Sequence, residues 1–155
     1  MSSTLPQKLN LAVAVIIHEG KILLTWNSRW GSFTLPMTKL RQWHTPNGQI
    51  DPESETARDA SIRAAAEAIG RPMTAEELPS QPEALELQPY GHRSHRDGQW
   101  KRFGREVFVV RLASSTNPCC GSHVWLTPAE VEAHVPVSPT AAEIVSALVA
   151  SEVAL

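Results

Sequence analysis

Hydrophobic positions fall in short blocks separated by polar or glycine-bearing turns. Leu9 to His18 (LNLAVAVIIH) is almost unbroken, Glu19-Gly20 interrupts it, and Lys21 to Trp26 (KILLTW) resumes it. Two apolar runs around a glycine turn predict a β-hairpin. Trp30 to Pro36 predicts a short strand stopped by its proline. Residues 37–54, broken by Pro46, Asn47-Gly48 and Pro52, predict irregular chain. A helix is then expected from about Thr56 to Ile69: Thr56-Ala-Arg-Asp59 is a capping-box-like start, and Gly70 and Pro72 stop it. Ile62, Ala65, Ala66 and Ile69 share one face of that helix, with Ala60, Arg63, Ala64, Glu67 and Ala68 spread over the rest. Farther on, Ala84 to Tyr90 alternates like a strand that Pro89 confines to an edge or an end, and Asp97-Gly98 marks a hairpin turn. Glu106 to Leu112 reads as the strongest buried strand and Val124 to Leu126 as a short one. Helices are expected from Pro128 to His134 and from Thr140 to Val153, the last with Ile144, Val145, Leu148 and Val149 inward. Strands alternating with three helices give a mixed α/β sandwich.

At 155 residues the chain is expected to be one domain, 1–155, with a flexible N-terminus over about 1–8. Its 42% apolar and 19% charged residues exclude wholesale disorder and coiled coil. A formal charge of −2 implies no global attraction to nucleic acid or to an anionic membrane. No secretory h-region is visible in Met1 to Asn10, and runs such as Leu11 to Ile17 are far short of a membrane span. The two cysteines, Cys119 and Cys120, are adjacent and read as reduced thiols at a turn. A cytoplasmic protein is expected.

The stretch Glu55 to Gly70 (ETARDASIRAAAEAIG) resembles the box of the Nudix family, G-x5-E-x7-R-E-U-x-E-E-x-G-U with U aliphatic. Glu55, Arg63, Glu67 and Gly70 stand at matching spacings, with Ala60 at a position usually small. The opening hairpin, the Trp–Leu-Pro strand before the box, Trp125-Leu-Thr-Pro-Ala-Glu130 and the final helix resemble the same family, along nearly the whole chain. The resemblance implies a Nudix-type α/β/α sandwich with a mixed sheet and a Nudix helix over 55–70. It implies Glu55 and Arg63 as a structural brace together with Gly70, and glutamates that hold divalent cations and position the attacking water.

The departures fall on that last set. The glutamates would stand at 64, 67 and 68, which share a helix face, and here they are Ala64, Glu67 and Ala68. The closing aliphatic is Arg71, and the opening glycine is Gln49, with Gly48 one residue early. One carboxylate can touch a metal but cannot bridge two ions and activate water as well. Glu67 is thus the remaining candidate catalytic residue and metal ligand, with Mg²⁺ the cofactor if there is one. The loop before the box is also longer: Pro36 and Glu55 are nineteen positions apart, about eleven more than in the family pattern. Two alignments fit, one placing the insertion after Leu35-Pro36, the other matching Pro46-Asn47-Gly48 to the P-G-G segment and moving it upstream.

Under the first alignment Lys39 and Arg41 approach the phosphate site as two carboxylates leave it, which suggests that an anion is held directly by cations. Tyr90 to Arg105 adds Arg93, Arg96, Lys101, Arg102 and Arg105, interleaved with Tyr90, Trp100 and Phe103, a composition able to hold phosphates and stack a base. The bland alternative for both groups is a solvated charged loop. His92 and His95 point to opposite faces if on a strand, which argues against zinc. Glu106 from a strand, and Glu53 or Asp51 from the loop, could supply a further carboxylate, but they read more simply as a surface strand acid and helix N-terminal charges. Two functions follow. One is a Nudix-fold protein that binds a nucleotide or other phosphorylated small molecule, with weak or no Mg²⁺-dependent hydrolysis. The other is a divergent Nudix hydrolase that cleaves a nucleoside-diphosphate-linked substrate to a nucleoside monophosphate and a phosphorylated product. Neither a membrane nor nucleic acid is an expected partner, and a homodimer is left open.

Overall fold

Leu11 to Ile17 are all buried, so the strand they form has no solvent face and its alternation sorts one core from another. In the computed structural model, which describes residues 7–41, 45–49, 51, 54–79, 81–83, 85, 87, 90–93, 100–113, 123–133 and 136–153 (without the side chains of 7–10, 90–93 and 100–104), this strand is β1, Gln7–His18. Val13, Val15 and Ile17 enter one cluster, Ala14 and Ile16 the other. Along one edge β1 runs parallel to β6 (Trp100–Arg111), in register from Gln7 opposite Lys101 to Ile17 opposite Arg111. Its other edge is divided. The C-terminal end makes the expected hairpin with β2 (Lys21–Asn27), turning at Glu19 and Gly20 with φ of 51° and 76°. The middle pairs antiparallel with β4 (Met37–Lys39), Val13 opposite Met37 and Leu11 opposite Lys39.

β2 also pairs with β3 (Ser32–Thr34) and with β7 (His123–Leu126), and β6 pairs with β5 (Tyr90–Arg93). The sheet order is β3-β2-β1-β6-β5, with β4 added on β1 and β7 on β2. Because β2 and β4 share one edge of β1, the sheet opens between them. α1 (Ala57–Ile69) lies on one face, over β1, β4 and β6. α2 (Pro128–Ala133) and α3 (Pro139–Ala150) cover the other, where Val131, Ala141, Ile144, Val145 and Leu148 close the larger cluster. The fold is an α/β/α sandwich around a mixed sheet.

Several elements differ from the expectation. Residues 37–39, expected to be irregular, form β4: three residues are too few to show a period, and the strand exists because the N–H of Ala14 donates to the Pro36 carbonyl at 2.9 Å and β1 offers a free edge beyond it. β5 begins at Tyr90, where the strand from Ala84 was expected to end; Leu85 and Leu87 instead pack against the larger cluster from outside any strand. The buried residues of α1 are Ala60, Ser61, Ala64, Ala65 and Ile69, while Ile62 and Ala66 are half-buried. A helix made mostly of alanine has no bulky stripe to fix its rotation, so polar anchors decide it. Val149 is exposed because the inward stripe of α3 runs through Ala141, Ile144, Val145 and Leu148 and leaves it at the margin.

Candidate active-site cleft

The anchors of α1 begin at its caps. The Thr56 hydroxyl accepts the Asp59 N–H at 3.1 Å, and Gly70, at φ 77°, ends the helix with its N–H on the Ala66 carbonyl. Arg63, one turn past the middle of the first half, faces Glu55. Its Nε and Nη2 donate to the two carboxylate oxygens at 2.9 Å each, a fork-to-fork pair. Nη1 also donates to the Thr38 hydroxyl at 3.2 Å and Nη2 to the Lys39 carbonyl at 3.1 Å, so the same guanidinium ties α1 to β4. Glu55 accepts in addition the Arg41 N–H at 2.9 Å and donates its own N–H to the Arg41 carbonyl at 2.8 Å. The Arg63 hydrogen bonds hold its carboxyl below the usual carboxylate range, against the opposing effect of burial. Arg41 and Glu55 are thereby neighbours in space, and β4 follows Pro36 directly. The chain between 41 and 55 is an excursion that begins and ends at this contact.

The opening between β2 and β4 forms a cleft of about 490 Å³. Thr25, Trp26, Asn27, Ser28 and Arg29 line it from β2 and its turn, Thr34 to Met37 from the segment joining β3 to β4, and Ala64, Glu67 and Ala68 from α1. The three box positions thus face the cleft together, with two methyl groups where carboxylates would stand. The Glu67 side chain is 67% exposed, and Nη1 of Arg63 lies 3.9 Å from its carboxylate. Trp26 is 42% exposed and meets Phe33 edge-on with ring centroids 5.1 Å apart. The Asn27 side-chain oxygen accepts the N–H groups of Arg29 at 3.0 Å and Trp30 at 3.1 Å, fixing the turn that carries Arg29.

Glu55 is committed to Arg63 and Arg41, Glu67 stands alone on its face, and no cluster of three or more His, Cys, Asp or Glu side chains suited to a metal occurs among the described residues.

A second carboxylate–guanidinium pair sits at the far end of α1. Arg71, in place of the closing aliphatic residue, donates through Nη1 and Nη2 at 2.8 Å each to Glu77, in a 3-10 turn at Ala75–Glu77. The Glu77 side chain is 0% exposed. It also accepts from the Thr74 N–H and hydroxyl and from the Ala113 N–H, all at 3.0 Å, so every lone pair it buries is used. The Arg71 bonds hold its carboxyl far below the usual range despite burial.

Lys39 and Arg41 are exposed and are not among the residues lining the cleft; Lys39 lies on the same side of β4 as Met37, opposite Thr38, which meets Arg63. Arg105, counted with the basic stretch, is not available to a ligand: its side chain is 3% exposed, and Nη2 donates to Glu143 of α3 at 3.0 Å. Arg93 and Lys101 fall on β5 and β6, one register step apart, with side chains outside the described set. Arg96, Glu53, His95 and the two cysteines lie outside the described residues. The sequence assigns no site role to Trp26 or Arg29, because nothing in a strand end and a turn announces that a helix thirty-five residues on will face them. Among the described residues no helix is long and apolar enough to cross a membrane.

No curated protein matches the sequence. Solved structures do resemble the fold. A MutT protein from Methanosarcina mazei Go1 superposes with a TM-score of 0.65 at 14% identity, over 96% of this chain and 98% of that one. A bifunctional NMN adenylyltransferase/ADP ribose pyrophosphatase from Francisella tularensis, complexed with AMP and a manganese ion, gives 0.63 at 17% identity over 96% of this chain and 43% of its own. An E. coli dihydroneopterin triphosphate pyrophosphohydrolase gives 0.61 at 14% identity, over 92% and 95%. Residues 8–148 match the NUDIX domain, and the chain belongs to the Nudix family.

Proposed function

We propose that this Nudix protein binds a nucleotide or another phosphorylated small molecule in the cleft between β2, β4 and α1, with weak or no classical Mg²⁺-dependent pyrophosphohydrolase activity. The observation that carries this reading is the helix wall of the cleft: Ala64, Glu67 and Ala68 leave one carboxylate where several are needed to hold cations and activate water. Two of the structures named above are, by name, an ADP ribose pyrophosphatase and a dihydroneopterin triphosphate pyrophosphohydrolase, which supports the ligand class.

The test combines calorimetric titration of Mg²⁺ and Mn²⁺ with a hydrolysis assay on nucleoside diphosphate sugars. The expected outcome is no cation binding near micromolar Kd and at most weak turnover that Glu67→Gln leaves unchanged, alongside nucleotide binding that persists in EDTA. Mg²⁺-dependent turnover that disappears in Glu67→Gln would overturn the reading in favour of a divergent hydrolase producing a nucleoside monophosphate and a phosphorylated product.

A further inference from the structure

The two charged side chains that line the cleft stand on different elements. Arg29, on the turn after β2, is the only cation among the described residues that line it, and Glu67, on α1, is the only anion among them. The rest of the described lining is mixed, polar at Thr25, Asn27, Ser28 and Thr34, with Trp26 as its exposed aromatic side chain. No carboxylate pairs with the Arg29 guanidinium among the described residues, and the Asn27 bonds hold its backbone in place. The opposite wall cannot receive an anion on the same terms. The Arg63 guanidinium beside Glu67 already serves both oxygens of Glu55, the Thr38 hydroxyl and the Lys39 carbonyl. A phosphate against α1, without a cation between, would meet the Glu67 carboxylate.

We infer that the ligand lies across the cleft with its anion on Arg29, its planar ring against Trp26, and a hydrogen-bond donor turned to Glu67. An amino-substituted nucleoside monophosphate fits this description: one phosphate for the guanidinium, a base for the indole, an exocyclic amine for the carboxylate. The cleft volume is that of a small-molecule site. The inference rests on the cation-free binding proposed above, and it adds direction and selectivity. The polar ends of the ligand are set by the turn and the helix, and no metal is involved.

Adenosine 5′-monophosphate and purine riboside 5′-monophosphate, which lacks only the amine, are titrated in EDTA against wild type, Arg29→Gln and Glu67→Ala, each checked for a native circular dichroism spectrum. Wild type is expected to prefer the amino ligand by about fivefold, Arg29→Gln to weaken both ligands by about tenfold, and Glu67→Ala to weaken the amino ligand to the level of the other. Tighter binding of both ligands by Glu67→Ala would place the phosphate at the helix and overturn the orientation, as would unchanged binding by Arg29→Gln. Wild type that binds neither ligand in EDTA but binds with Mg²⁺ would remove the underlying reading, an outcome distinct from either reversal.

Discussion

Two forked carboxylate–guanidinium pairs brace α1, one at its middle and one just past its end, and they work differently. Glu55–Arg63 stands at the edge of the cleft, with side chains 13% and 20% exposed, and Arg63 spreads its remaining bonds over β4. Glu77–Arg71 is closed: the carboxylate is inaccessible and accepts five bonds from three directions, including the Ala113 N–H just beyond β6. Breaking a buried pair by removing one partner leaves a charge with nothing to replace water, whereas a rim pair falls back on solvent. The cleft-side pair therefore positions the helix, and the buried pair locks it to the sheet. The box keeps the first and substitutes the second for a hydrophobic contact.

That contrast can be broken. The largest effect is expected from Arg71→Ala, which strips the cation from buried Glu77 and should lower unfolding free energy by about 3–5 kcal/mol in chemical denaturation. A loss under about 1 kcal/mol would show that the N–H groups of Thr74 and Ala113 suffice and that the lock is not ionic. Acid should act on the same pair. A carboxyl whose folded pKa is depressed contributes stability that is complete above its unfolded value of about 4.3 and is lost as pH falls below it. Thermal melts from pH 6 to pH 2.5 should fall mainly below about pH 4, and Glu77→Gln should flatten that limb. An unchanged slope in the variant would assign acid sensitivity elsewhere. Arg63→Ala should cost less, about 1–3 kcal/mol, and should selectively speed amide exchange at Arg41 and Glu55. Uniform acceleration across α1 would make this pair a lock as well and erase the distinction.

What the sequence disclosed follows the same division between local and distant causes. The β1–β2 hairpin, the Thr56 and Gly70 caps and the Glu55 to Arg63 spacing are encoded within a few residues and are found where the pattern puts them. The strand at 37–39 is not encoded locally; it is a vacancy on β1 filled by the segment that follows Pro36. Arg105 shows the opposite failure. Within a basic run it reads as solvated, yet its place on β6 turns it under α3 toward a glutamate thirty-eight residues away. The box positions of the cleft were legible because spacing puts 64, 67 and 68 on one face. The opposing wall, Trp26 and Arg29, comes from a different element and depends on how the sheet opens.

The pinch between Arg41 and Glu55 has a consequence for how this protein changed and can be changed. Chain enters and leaves the excursion at a single hydrogen-bonded gate, the Glu55 N–H on the Arg41 carbonyl at 2.8 Å and the Arg41 N–H on the Glu55 carboxylate at 2.9 Å. Beyond such a gate, doubling the length of a flexible loop costs only about 0.6 kcal/mol. The pinch therefore predicts a splice point: residues grafted in or cut out between 41 and 55 are expected to leave the register of β4 and α1 unchanged.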